Sequence, residues 1–180
     1  DLPDLPSADL VALGLWVSPE QASRHGVFFC DRRPPHALRF FLQKPTPETI
    51  NAHARDHLFL IDSGFWLFSE KALRALFAKC AVDFDDPGES AAQFYELYGE
   101  FGLGLGSESP APDAAVGRLS AAVCPLPEGG FHHFGSGRDL VESTLALQNL
   151  VVDQRHNGGL SCRPHPSVFI QNAAVAARLR

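Results

Sequence analysis

Apolar and polar positions change over along the chain in short blocks, each long enough for one structural element and bounded by Pro, Gly or acidic residues. After an extended entry over Asp1–Asp9, Leu10–Val17 is a continuous apolar run, the pattern of a buried strand. Ser18-Pro19-Glu20-Gln21 follows at once. Ser at the cap, Pro at the first helical position and Gln three residues on predict a short helix, ended by Gly26. Val27–Cys30 and Ala37–Gln43 read as the two strands of a hairpin turned by Asp31–Pro35. Thr46-Pro47-Glu48 opens a second helix running to Arg55. His57–Asp62 and Phe65–Phe68 are two β-rich pieces parted by Ser63-Gly64. Ser69 caps a helix over Glu70–Cys80, with Ala72, Leu73, Leu76, Phe77 and Cys80 on one face. An acidic loop, Asp83–Ser90, leads to a further helix over Phe94–Leu105. Leu119–Leu126 and Phe131–Phe134 read as strands. Asp139–Asp153 is the longest predicted helix, with Leu140, Val141, Thr144, Leu145, Leu147, Val151 and Val152 as a wide buried face. The tail, Pro166–Leu179, has no helical period and reads as a separate β element. Strands alternating with helices, with a hairpin attached, predict an α/β layered fold.

Composition narrows the function classes. The 180 residues carry 15 Lys plus Arg against 21 Asp plus Glu, a formal net charge of −6, with 45% hydrophobic and 20% charged positions. That is a globular composition. An acidic balance without a Lys/Arg block speaks against nucleic acid or an anionic membrane as the main partner. No apolar stretch approaches the ~20 residues a membrane-crossing helix needs. The cysteines, Cys30, Cys80, Cys124 and Cys162, form no C-x-x-C pair, so reduced, mostly buried thiols of a cytoplasmic protein are expected. Methionine is absent, which suggests a piece of a longer chain.

Few residues announce chemistry by type alone. The run Gly102-Leu103-Gly104-Leu105-Gly106 lacks the spacing of a phosphate loop and follows a helix rather than opening one, so helix termination is the expected role. His132 and His133 adjoin on a predicted strand and would face opposite ways. Asp62-Ser63-Gly64 sets a carboxylate and a hydroxyl at a break between two apolar β pieces, where sugar or phosphate groups can be met.

Taken in order, several segments resemble the sugar-phosphate nucleotidyltransferases. Gly26-Val27-Phe28 followed by Gln43-Lys44-Pro45 is similar to the family's G-V strand and E-K-P step. Leu60–Ser69 is similar to its N-A-G-I-Y-x-F-S segment, and Phe131–Leu140 to its W-x-D-x-G-T-x-x-D-L segment. The strings Phe131-His132-His133-Phe134-Gly135-Ser136, Leu150–Arg155 and His165–Ala173 narrow the resemblance to the L-fucose-1-phosphate guanylyltransferases, including the front domain of bifunctional fucokinase/GDP-fucose pyrophosphorylases. The resemblance implies the C-terminal, sugar-binding part of a Rossmann-like nucleotidyltransferase domain over residues 1–157. The start of a left-handed parallel β-helix would follow over 158–180. The family's G-x-G-x-R-x-x-P triphosphate loop has no counterpart in these residues, so the chain is expected to be inactive by itself.

The same resemblance implies the reaction of L-fucose 1-phosphate with GTP to give GDP-L-fucose and pyrophosphate, with Mg²⁺ as cofactor of the full enzyme. Lys44 matches the Lys that contacts the sugar-side phosphate. Gln43 would bind sugar hydroxyls where relatives carry Glu, and Asp62, Ser63 and Gly64 would line the sugar pocket. His133 stands where relatives carry a metal-binding Asp. It is expected to point at the phosphates or sugar without holding the metal, so no residue here is assigned as a metal ligand. The β-helix of relatives also implies homo-oligomer contacts. Two other classes stay open at this point. One is a catalytically silent nucleotide-sugar binding or regulatory module. The other is a metal hydrolase using His132 or His133 with Asp153 or His156.

Overall fold

The computed structural model describes residues 5–86, 88, 92–127 and 130–150. The chain divides into two compact units, residues 1–129 and 130–180.

In the first unit, capped helices form where short polar signals precede apolar blocks. Helix α1 (Pro19–Ala22) is closed by a reciprocal cap, in which the Gln21 N–H donates to Ser18 Oγ and the Ser18 N–H to Gln21 Oε1. Thr46 caps α2 (Pro47–His53) and Ser69 caps α3 (Glu70–Lys79), each through its hydroxyl oxygen. Between them run the strands β1 (Leu10–Leu15), β2 (Gly26–Cys30), β3 (Leu38–Gln43), β4 (Leu58–Phe68) and β5 (Ala121–Pro125). They make one sheet in the order β3-β2-β4-β1-β5. β1 and β5 are parallel and the other neighbours antiparallel. The mixed sheet curls. Ala37, just before β3, bridges Ala122 of β5, and the Val123 N–H reaches His36 O at 3.0 Å, so the two edges meet at one corner.

One face of the sheet carries Ala12, Phe28, Phe41, Leu60 and Val123 into the main core, closed by Ala72 of α3 and by Phe101, Leu105, Val116 and Leu119. The opposite face stacks Phe29 on Phe40, centroids 4.7 Å apart, with His53 of α2 edge-on to both. Cys30, Cys80 and Cys124 are free thiols, and burial pushes the Cys30 thiol up to about 12.

The structure departs from the sequence reading in definite places. The two β pieces around Ser63-Gly64 are one strand, β4, with a bulge. Trp66 pairs with Ala12 and Asp62 with Gly14, so three residues of β4 face Leu13 alone. The predicted helix over 94–105 starts later and is π-helical over Leu97–Gly102, continuing as helix at residues 103 and 104, with its glycines keeping it short. Phe131–Phe134 is irregular and not a strand.

In the second unit, α4 (Gly137–Leu150) forms as expected, with Ser136 Oγ accepting the Asp139 N–H at 3.2 Å. Its apolar stripe is not the buried face, since Leu140, Val141 and Leu147 are 51%, 56% and 40% exposed. The helix turns Ser143 inward instead, where its hydroxyl donates to His133 O at 2.6 Å. The predicted β-helix and the 157/158 boundary lie outside the described residues.

Candidate functional site

The register of β3, β2 and β4 sets where the predicted residues of the first unit lie. Gly26 pairs with Gln43, and Val27 pairs with Ile61, which makes Asp62 the next residue in line on β4. Directly paired residues of antiparallel strands point to one face, and successive residues alternate. Gln43, Gly26 and Asp62 therefore share the core face at one end of the sheet, with Gln43 and Asp62 about 10 Å apart across two strand spacings. Gly26 is required there. A Cβ on it would lie 2.5 Å from the Phe41 ring and 3.2 Å from Gln43 Oε1.

Lys44 follows directly. It adopts a left-handed backbone, φ 49°, pinned by its N–H to His25 O at 3.0 Å. Its side chain is exposed and its ammonium has no ion-pair partner among the described residues. A non-glycine residue in this conformation is held at a cost of about 1–2 kcal/mol.

Asp62 is 8% exposed. Its Oδ1 accepts two hydrogen bonds, from the Gly64 N–H at 2.8 Å and the Trp66 indole N–H at 2.9 Å. Oδ2 has no hydrogen-bond partner among the described residues. Burial raises the carboxyl above its ordinary range, against the pull of those two bonds. Gly64, at φ 84°, makes the turn of the bulge with open space around it. Ser63 is engaged elsewhere, its hydroxyl donating to Leu13 O at 2.7 Å, so it fixes the bulge against β1.

Two aromatic residues that the sequence reading did not single out stand beside this carboxylate. Trp66 contacts Phe28, Phe41 and Phe68, and Tyr98 meets its ring edge-on at 5.8 Å. Burial, and then the Asp62 charge, raises the Tyr98 phenol. Trp66 lies in the strand that carries Asp62, whereas no pattern in the sequence links Tyr98 to it.

Within the second unit, His133 is half exposed. Its Nδ1 lies 3.1 Å from Asp139 Oδ2, and Phe131 stacks on its ring. Hydrogen bonds from Ser136 and then His133 hold the Asp139 carboxyl below its ordinary range. His132 and His133 do not sit on opposite faces of a strand, since none forms here. Among the described residues no three His, Cys, Asp or Glu are grouped to hold a metal. One imidazole already paired with one carboxylate does not fit the oxygen-rich set that Mg²⁺ takes, and no step through a metal is derived from these residues. Asp153 and His156 lie outside the described residues. Gly106, in the glycine run, packs against β3, where a Cβ would lie 2.3 Å from Arg39 O. A separate concavity of about 330 Å³, lined by Gly104, Ser107, Ser109 and Arg118 among others, holds none of the predicted site residues. No described helix is long and apolar enough to cross a membrane.

No family profile matches the chain. Over 174 residues, 97% of its length, it is 41% identical to an L-fucokinase/L-fucose-1-P guanylyltransferase of Bacteroides fragilis. The chain spans 18% of that protein's length. The aligned stretch takes in nearly every described element, and the chain is similar to one segment of an L-fucokinase/L-fucose-1-P guanylyltransferase.

Proposed function

We propose that this chain forms the sugar-phosphate side of a guanylyltransferase that joins L-fucose 1-phosphate and GTP to give GDP-L-fucose and pyrophosphate. The observation that carries this reading is the shared face and shared sheet end of Gln43 and Asp62, with Lys44 next to Gln43. Gln43 offers an amide donor and acceptor to sugar hydroxyls. Asp62 offers its free oxygen to a further hydroxyl. Lys44 supplies a positive charge at the strand end for the sugar-side phosphate, and its constrained backbone fixes the direction from which the charge approaches. In such a reaction the phosphate oxygen of the sugar attacks the α-phosphorus of the nucleotide in line. Positioning and charge compensation supply most of the acceleration.

Calorimetric titration with L-fucose 1-phosphate tests the reading, with mannose 1-phosphate and GTP as controls. Saturable binding of the fucose phosphate, lost in Lys44→Ala, is expected. In the full-length protein Lys44→Ala is expected to lower turnover at least about tenfold, equivalent to about 1.4 kcal/mol. Unchanged kinetics in that variant would remove Lys44 from the site.

A further inference from the structure

The Asp62 carboxylate is asymmetric. One oxygen takes both available donors, the Gly64 N–H and the Trp66 indole, while the other has no hydrogen-bond partner among the described residues although the residue is only 8% exposed. That oxygen is not among the fully buried unpaired atoms of the described residues, so it is reachable by water or by an incoming donor. The surroundings on the indole side are apolar. Trp66 shares the sheet face of Asp62, since their partners on β1, Ala12 and Gly14, are two residues apart. Tyr98 stands edge-on to it, and both rings are only partly buried at the margin of the core. A donor approaching the open oxygen thus meets a polar group on one side and aromatic rings on the other.

We propose that Trp66 and Tyr98 form the apolar wall of the sugar pocket whose polar side is Asp62 and Gln43, and that this wall selects a sugar bearing a methyl group where a hydroxymethyl group would otherwise stand. The inference rests on the sugar-phosphate reading above and deepens it. A 6-deoxy sugar presents its methyl and ring C–H groups as one apolar edge and its hydroxyls as another. The two edges match the two sides of the pocket. A hydroxyl added at C6 would lose water where it meets the faces of the rings.

The test compares L-fucose 1-phosphate with L-galactose 1-phosphate, which differs by that one hydroxyl, in binding to the full-length protein. Wild type is expected to prefer the fucose phosphate by about tenfold or more, within the range open to an apolar pocket. Tyr98→Ser is expected to lose that preference, chiefly through weaker binding of the fucose phosphate. Tyr98→Phe keeps the ring and is expected to keep the preference. In the 180-residue chain, Trp16→Phe leaves Trp66 as the remaining indole, and its emission is expected to change on saturation with the fucose phosphate. A preference unchanged in Tyr98→Ser, or lost equally in Tyr98→Phe, overturns the wall while sparing the sugar site, as does an unresponsive Trp66. Binding of neither sugar phosphate to wild type overturns the sugar site and the wall together. Matching melting temperatures of the variants exclude misfolding as the cause of a loss.

Discussion

Gly26 has space for a hydrogen and nothing more, because the Phe41 ring lies where a Cβ would go and Gln43 closes the other side. Gly26→Ala should therefore lower stability by about 1–3 kcal/mol, the usual penalty of overpacking, read as an earlier midpoint in urea unfolding. It should also displace Gln43 and weaken sugar-phosphate binding. A variant with wild-type stability would mean that the Phe41 ring yields without cost. At this scale the sequence singled out residues but not their arrangement. Gln43, Lys44 and Asp62 were named from sequence alone, and the register brings Gln43 and Asp62 to one end of one face. Ser63 was legible as a polar residue at a strand break, but its hydrogen bond to Leu13 O was not, since that depends on which strand lies alongside. Tyr98 was illegible for the same reason.

At the scale of elements, Asp9 ties three of them together. Its Oδ2 accepts from Lys71 Nζ of α3 at 2.8 Å, and from the Ser120 N–H and hydroxyl just before β5 at 2.8 and 2.9 Å, while its own residue leads into β1. The hydrogen bond from Lys71, followed by those from Ser120, holds the carboxyl below its ordinary value of 3.8. The folded chain thus takes up this proton at lower pH than the unfolded chain. The stabilisation is complete above the ordinary value and is lost as the pH falls through the lowered one. Asp9→Asn should cost about 1–3 kcal/mol in urea unfolding at pH 7, with the difference from wild type narrowing as the pH falls through the lowered value. An equal difference above and below that value would show that lost shape, not lost charge, weakens the variant. Caps and apolar runs were readable because they are local, as at Ser18, Thr46 and Ser69. The bulge of β4 was not, because Ser63-Gly64 looks the same whether it ends a strand or buckles one. Only pairing with β1 decides. Phe131–Phe134 has the composition of a strand but is drawn against α4, where the Ser143 hydroxyl, midway along the helix, donates to the His133 carbonyl.

For the whole molecule, every buried hydrophobic residue described falls between Leu10 and Cys124. The first unit thus contains a complete core of its own. A chain ending at residue 129 is expected to fold and to unfold in one cooperative calorimetric transition. A broad, non-cooperative melt would show that the first unit depends on residues 130–180 for its stability. The bulge of β4 has a further consequence at this level, one of inheritance. Asp62, the backbone donor that orients it and the indole that caps it occupy five consecutive positions, whereas Gln43 and Lys44 come from a separate stretch of the gene. Asp62, its backbone donor and its indole can be transplanted, lost or recombined as a single short cassette, separately from Tyr98, Gln43 and Lys44. Under the function proposed above, descendants of such a fold could exchange the sugar they prefer without rebuilding the place where Lys44 holds its phosphate.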